Sequence, residues 1–165
     1  MLRKSGKFIG YRFNEIVLDT NSFVVLLVGM YNRRMLCKVL DKNRFKETDP
    51  DVLYDYLEEF LRNRKIILTP QVLAESGNII ENKCGESTFK DIILTFMNFL
   101  VNGVIEIYIP KNDLLENKQI PDFGFADISV FEACRNKSLI TDDWKLYSYC
   151  RNKDREVINL KEFCD

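Results

Sequence analysis

The chain has 165 residues with 24 Lys and Arg against 25 Asp and Glu, no His, five Cys and 46% apolar residues, which fits one globular domain and excludes intrinsic disorder. The missing histidine excludes a Ser-His-Asp or Cys-His nucleophile system, an imidazole general base and a His-bearing zinc site, so chemistry must run on carboxylates, amines, hydroxyls or thiols. A net charge of -1 gives no global argument for nucleic acid, although an acidic site that holds metal ions would cancel basic residues placed around it.

Residues 1–14 read as an N-terminal extension. Residues 15–18 read as a short buried strand ending at Asp19, and residues 22–36 as a helix apolar on most sides and therefore central. Residues 36–50 read as an insertion. Thr48 to Pro50 offers a helix start, with Val52, Leu53, Tyr56, Leu57, Phe60 and Leu61 at helical spacing through Arg62. Residues 65–68 are the next strand; Thr69 and Pro70 follow as N-cap and first helical residue of a helix carrying Val72, Leu73, Glu75, Ile79 and Ile80. A helix near 86–101 shows Phe89, Ile92, Ile93, Phe96 and Leu100 on one face.

Residues 104–109 alternate as a third strand closed by Pro110, and 112–117 form a short helix. Residues 120–125 read as a loop with Pro121 and Gly124, after which Asp127 opens a helix to about Asn136. Residues 138–141 are a strand running into Asp142-Asp143; a helix covers 144–149, and 157–160 is a last strand. Strands alternating with helices throughout predict an α/β fold: a central parallel sheet of about five strands, helices on both faces, and any site at the carboxyl ends of the strands.

The five cysteines, Cys37, Cys84, Cys134, Cys150 and Cys164, are odd in number and contain no C-x-x-C pair. A reduced, cytoplasmic protein is expected, with Cys134 and Cys150 as small apolar fillers. Residues 1–13 lack a signal-peptide apolar stretch, and the longest apolar run, 23–28, is far short of the ~20 residues that span a bilayer, so no membrane association is expected.

Carboxylates follow the predicted strands: Asp19 after the first, Glu75 in the helix after the second, and Asp142 or Asp143 after the fourth, with Asp127 opening the helix that leads there. Parallel strand ends share one edge, so these acids are candidates to converge. Crowded carboxylates raise one another's pKa unless positive charge lies between them, and a divalent cation with oxygen ligands answers that need. Mg2+ or Mn2+ can activate water against a phosphodiester without any histidine. Each acid alone has a structural reading: Asp19, Asp127 and Thr141-Asp142-Asp143 all suit helix N-termini. Glu75, beside Leu73 and Ala74, is expected near the core, where an ionised carboxylate needs a partner.

The segments Ile16-Val17-Leu18-Asp19-Thr20-Asn21-Ser22, Leu73-Ala74-Glu75, Phe125-Ala126-Asp127 and Leu139-Ile140-Thr141-Asp142-Asp143 occur in the order found in the PIN-domain family of metal-dependent ribonucleases, and over residues 15–163 the chain resembles that family. The resemblance implies a three-layer α/β/α fold and a Mg2+- or Mn2+-dependent endoribonuclease. It also implies that Asp19, Glu75, Asp127 and Asp143 are the acidic metal-binding residues, with Thr20, Asn21 and Thr141 supporting them by hydrogen bonds. The Thr-x-Asp register selects Asp143, while Asp142 lies one residue nearer the strand; Asp122 competes with Asp127. Many members of the family are toxins of toxin–antitoxin pairs, which implies an antitoxin partner and RNA as substrate; others process RNA, and homodimers are frequent.

Two basic stretches, Arg33, Arg34, Lys38, Lys42, Arg44 and Lys46, and Arg62, Arg64 and Lys65, suit either RNA phosphates or a solvated surface, the latter being preferred. Tyr11, Phe13, Phe123, Phe125 and Trp144 suit base stacking or, for most of them, core and rim packing. Two rival functions remain: a PIN-like RNA-binding or assembly module without catalysis, and a metal phosphohydrolase or nucleotide-binding domain. The second lacks G-x-G-x-x-G, G-x-x-x-x-G-K and the second Asp that aspartyl phosphatases place two residues after the first.

Overall fold

Short runs of β-branched residues and leucine, bounded by polar residues, set the strands of a computed structural model that describes residues 13–163 apart from Arg44 and Glu47. Most of the expected N-terminal extension, with Tyr11, and also Cys164 lie outside the described residues. The strands are β1 (Glu15–Leu18), β2 (Lys65–Leu68), β3 (Val104–Glu106), β4 (Ser138–Thr141) and β5 (Glu156–Asn159). All pair in parallel, in the order β3-β2-β1-β4-β5. Ile16, Val17 and Leu18 of β1 and Leu139 and Ile140 of β4 are fully buried, the apolar pattern of strands covered on both faces.

Among the described residues eight helices flank the sheet: α1 (Thr20–Tyr31), α2 (Leu36–Val39), α3 (Pro50–Leu61), α4 (Pro70–Cys84), α5 (Glu86–Asn102), α6 (Lys111–Glu116), α7 (Ile120–Ala133) and α8 (Trp144–Asn152). The strand order takes the chain from β1 out to β3 and then back to β4 and β5, and the right-handed rule for parallel crossovers puts the two sets of helices on opposite faces, giving three α/β/α layers. The packing agrees: α1 lies against α2, α3 and α4, while α7 lies against α6 and α8. Residues 36–50 contribute Leu36, Val39, Leu40 and Phe45 to the core, and Lys83 of α4 donates to the Val39 carbonyl at 3.0 Å.

Side-chain oxygens start four helices. Asp19, Asp49, Thr69 and Asp143 cap α1, α3, α4 and α8, with prolines in the first turns of α3 and α4 as expected. Several boundaries differ from expectation, most by one to three residues, as where α7 ends at Ala133 and α8 runs on to Asn152. The first helix ends at Tyr31, because Asn32 is extended and its Oδ1 accepts the Arg34 N–H, after which the chain forms a 3-10 turn and then α2. The third strand stops after three residues; as an edge strand it has a neighbour on one side alone, and Pro110 ends the segment. On the last strand the pairing runs one residue earlier, and residues 160–163 form a 3-10 turn.

The expected loop at 120–125 is instead the first turn of α7, since Pro121 pre-sets a helical start. Gly124 interrupts it at φ 82° and ψ 176°, a backbone conformation that side chains disfavour, and nothing lies within 4 Å of the position a Cβ would take. Conformation, not crowding, calls for glycine there. The helix then resumes, with Asp127 in its first turn.

Candidate functional site

In a sheet ordered 3-2-1-4-5, the chain leaves β1 toward one side and β4 toward the other, so a crevice opens at the carboxyl ends of these two adjacent strands. Asp19 follows β1 and Asp142-Asp143 follow β4, at that crevice. The Asp19 N–H donates to the Ile140 carbonyl at 3.1 Å, which carries the β1–β4 ladder to the acid itself.

Asp19 is 4% exposed. Its Oδ1 accepts the Ser22 N–H at 2.7 Å and its Oδ2 accepts the Thr141 hydroxyl at 2.5 Å. Thr141 in turn accepts the Asp143 N–H at 3.0 Å, so one hydroxyl ties the acid after β1 to the acid pair after β4. Next along α1, Thr20 donates to Glu75 Oε2 at 2.6 Å and Asn21 Nδ2 donates to Asp142 Oδ1 at 2.8 Å. Three consecutive residues at the start of α1 thus reach two distant segments, α4 at Glu75 and the end of β4 at Thr141 and Asp142.

The structure therefore brings together Asp19, Glu75, Asp142 and Asp143 with Thr20, Asn21 and Thr141. Asp127 joins through the field of its neighbours: its carboxyl is pushed up to about 7, by burial first and then by Asp143, Glu75 and Asp142, with Lys145 opposing. Burial first, and then Asp142, raise the Asp19 carboxyl to about 7 as well, against hydrogen bonds from Ser22 and Thr141 that favour the ionised form. The choice between Asp142 and Asp143 resolves into two positions. Asp142, 6% exposed, lies beside Asp19; Asp143 is the foremost charge acting on Asp127, and its Oδ1 caps α8 by accepting the Lys145 and Leu146 N–H groups at 2.7 and 2.9 Å.

Glu75 departs from expectation: it and Ala74 are exposed, because Val72, Ser76 and Ile80 form the buried face of α4 and leave position 75 on the rim. Asp122 is exposed in the first turn of α7, where its carbonyl accepts Lys145 Nζ at 2.6 Å.

Three contributors carry no chemical signature in the sequence. Buried Ser22 holds Asp19 by its N–H and reaches the Ile140 carbonyl by its hydroxyl at 3.2 Å. Buried Ser76 lies 3.5 Å from the Thr20 carbonyl, and Lys145 pins the start of α8 to the turn before Asp127. Ser22 was legible only as the residue completing Asp-Thr-Asn-Ser.

Among the described residues, no group of three or more His, Cys, Asp or Glu side chains is arranged to hold a metal ion outright. The acids stand instead as an Asp19/Asp142 neighbourhood and an Asp127/Asp143/Glu75 neighbourhood within electrostatic reach of each other. That donor set fits a hard cation of the Mg2+ or Mn2+ kind, which is commonly held by one or two carboxylates and keeps several waters.

The basic stretches lie elsewhere. Lys65 begins β2, at the edge of the parallel sheet opposite the acids, and α1 runs back toward that edge before Arg33. Arg33 pairs with Asp55 at 2.6 Å, Arg62 with Glu59 at 2.8 Å and Lys65 with Glu15 at 3.8 Å, as ordinary surface charges do. Arg44 lies outside the described residues.

No helix among the described residues is long and apolar enough to cross a membrane. In comparison with known proteins, no family model, curated protein or solved structure matches this chain.

Proposed function

We propose that the chain is a Mg2+- or Mn2+-dependent endoribonuclease of the PIN type, acting at the carboxyl edge of β1 and β4. One observation carries the reading: Thr20, Asn21 and Thr141 bond to Glu75, Asp142 and Asp19, so that acids from three distant segments are held by dedicated donors at a single crevice. A structural cap needs one backbone N–H, not a hydroxyl delivered from 122 residues away.

Asp19, Glu75, Asp127 and Asp143, with Asp142, would hold the cation; when bound, it supplies charge stabilisation at the phosphodiester and an acidified water. The protein's own contribution is positional. Ser22 and Thr141 fix both oxygens of Asp19, Asn21 fixes Asp142, Thr20 orients Glu75 from the rim, and the α8 cap fixes Asp143. Buried acids with raised pKa values favour a bound cation over two unpaired negative charges.

Purified protein with Mn2+ is expected to cut single-stranded RNA, and Asp19→Asn to stop the cutting without lowering the melting temperature. Undiminished cleavage by that variant removes Asp19 from the mechanism. RNA binding with no cleavage under either cation leaves the binding-module reading instead, and release of phosphate from small monoesters with no action on RNA points to the phosphohydrolase.

A further inference from the structure

On the segments that carry the site acids two large aromatic side chains stand in solvent: Trp144 is 68% exposed and Phe125 is 54% exposed. They flank the acids in sequence, Trp144 directly after Asp143 and Phe125 two residues before Asp127. Trp144 lies flat on Tyr147, with centroids 5.2 Å apart and planes 17° from parallel, so its ring is propped in place rather than free to fold onto the surface. Lys145 joins the two segments: its Nζ reaches the Asp122 carbonyl at 2.6 Å and lies 4.6 Å from the Phe123 ring centre. Phe123 packs against Tyr149, 5.0 Å between centroids, which leaves the outer ring of this segment, Phe125, facing water.

Most exposed aliphatic residues lie on other elements, Leu94, Met97 and Val101 on α5 among them. The exposed rings Trp144 and Phe125 belong instead to the segments that carry Asp143 and Asp127. The charge of the crevice is unfavourable to phosphates, and the chain as a whole carries -1. A nucleic acid held there gains little from counterion release and must be held through its bases. Ring-on-base stacking is tolerant of sequence and requires bases that are not already paired.

We propose that Trp144, propped by Tyr147, together with Phe125, forms a base-stacking platform that takes unpaired nucleotides beside the phosphate to be cut. The inference rests on the nuclease reading for the role of the crevice and extends it to the side chains that hold the bases.

Trp144 is the single tryptophan of the chain, so its emission reports on the platform without a label. An unpaired oligoribonucleotide of about 12 nucleotides, within single-strand site sizes, is titrated in EDTA to prevent cutting, beside the duplex it forms with its complement. The single strand is expected to quench saturably, the duplex to fail at the same concentrations, and Phe125→Leu to raise the dissociation constant at least about fivefold. In Mn2+, Trp144→Leu is expected to raise KM for single strands at least about fivefold with kcat within about threefold, and Trp144→Phe, which keeps a ring, to restore most of the loss.

Emission unmoved by the single strand, or an unchanged KM in Trp144→Leu, overturns the platform while leaving the nuclease reading intact. An emission change that grows with protein concentration and ignores RNA also overturns it, in favour of a contact between copies of the chain. Saturable quenching by a protein that never cuts RNA sustains the platform and removes the nuclease reading.

Discussion

Replacing Asp19 by Asn separates a structural cap from a site acid, because the two roles predict opposite signs for stability. Asn keeps Oδ1, so the 2.7 Å bond from the Ser22 N–H survives. Its amide N–H can donate to Thr141, whose hydroxyl has two lone pairs and uses one for the Asp143 N–H. What disappears is the buried charge. The Asp19 carboxyl rises from 3.8 to about 7, and at about 1.4 kcal/mol per pH unit its ionisation in the fold costs on the order of 4 kcal/mol. A folded value above the unfolded one means the protein is favoured by protonation: this contribution is complete below about pH 4 and is lost as the pH rises through 7.

In EDTA at pH 8, Asp19→Asn is therefore expected to be more stable than the parent by a few kcal/mol. For a chain of this size that is about 5–15 °C in Tm. At pH 4 the two proteins should melt together. Addition of Mn2+ at pH 8 should raise the parent, by about 2.7 kcal/mol at 100 times the dissociation constant, and leave the variant unmoved. Thermal melts by circular dichroism at pH 4, 6 and 8, with and without Mn2+, give all of these numbers. A variant less stable than the parent at pH 8 by 1 kcal/mol or more would refute the reasoning, because Asp19 would then be a cap whose charge the fold requires.

Thr141→Val removes the donor to Asp19 and the acceptor of the Asp143 N–H; urea titration should register a loss of about 1–3 kcal/mol, and Mn2+ affinity measured by thermal shift should fall. Asn21→Leu cuts only the link to Asp142 Oδ1, so cleavage should drop more than Tm does. Gly29→Ala is a control in the core: its Cβ would come within 2.1 Å of Tyr54 Cδ2, and a denaturant series should show a cost of about 1–3 kcal/mol with cleavage per folded molecule unchanged. Arg62→Ala, at the edge opposite the acids and paired with exposed Glu59, should alter RNA affinity by less than about twofold in a filter-binding assay.

The strands and most helices could be read from the sequence because local chemistry dictates them: Thr69-Pro70 and Asp49-Pro50 are start signals, and Ile16 to Leu18 can only be a doubly covered strand. Where the reading failed, tertiary or conformational context won. Asn32 ended a helix expected to run on to Leu36, and Gly124 placed a break within a helix rather than a loop around it. At the site, strand ends alone brought Asp19 and Asp142-Asp143 to one edge. The exposure of Glu75 was not legible, since it depends on which face of α4 turns inward, and Ala74 beside it suggested the wrong one. Nor could spacing separate the tasks of Asp142 and Asp143. Those follow from Asn21 and from the α8 backbone, partners visible only in three dimensions.

The capping and the metal-site readings of Asp19 and Asp143 are compatible, because they use different parts of the residues. Each aspartate gives Oδ1 to backbone N–H groups at the start of a helix, α1 or α8, where the partial positive charge of the helix end favours a carboxylate. This is how the fold carries several acids at one crevice before any cation arrives. A structural zinc site has no such support, and its domain unfolds when the metal is removed. Here the cap hydrogen bonds form within the chain and need no cation, so EDTA should lower Tm by no more than the binding free energy while the far-ultraviolet spectrum at 25 °C stays unchanged. Loss of that spectrum in EDTA at pH 7 would mean that the acids cannot coexist unaided, and the division of labour between caps and ligands would fail.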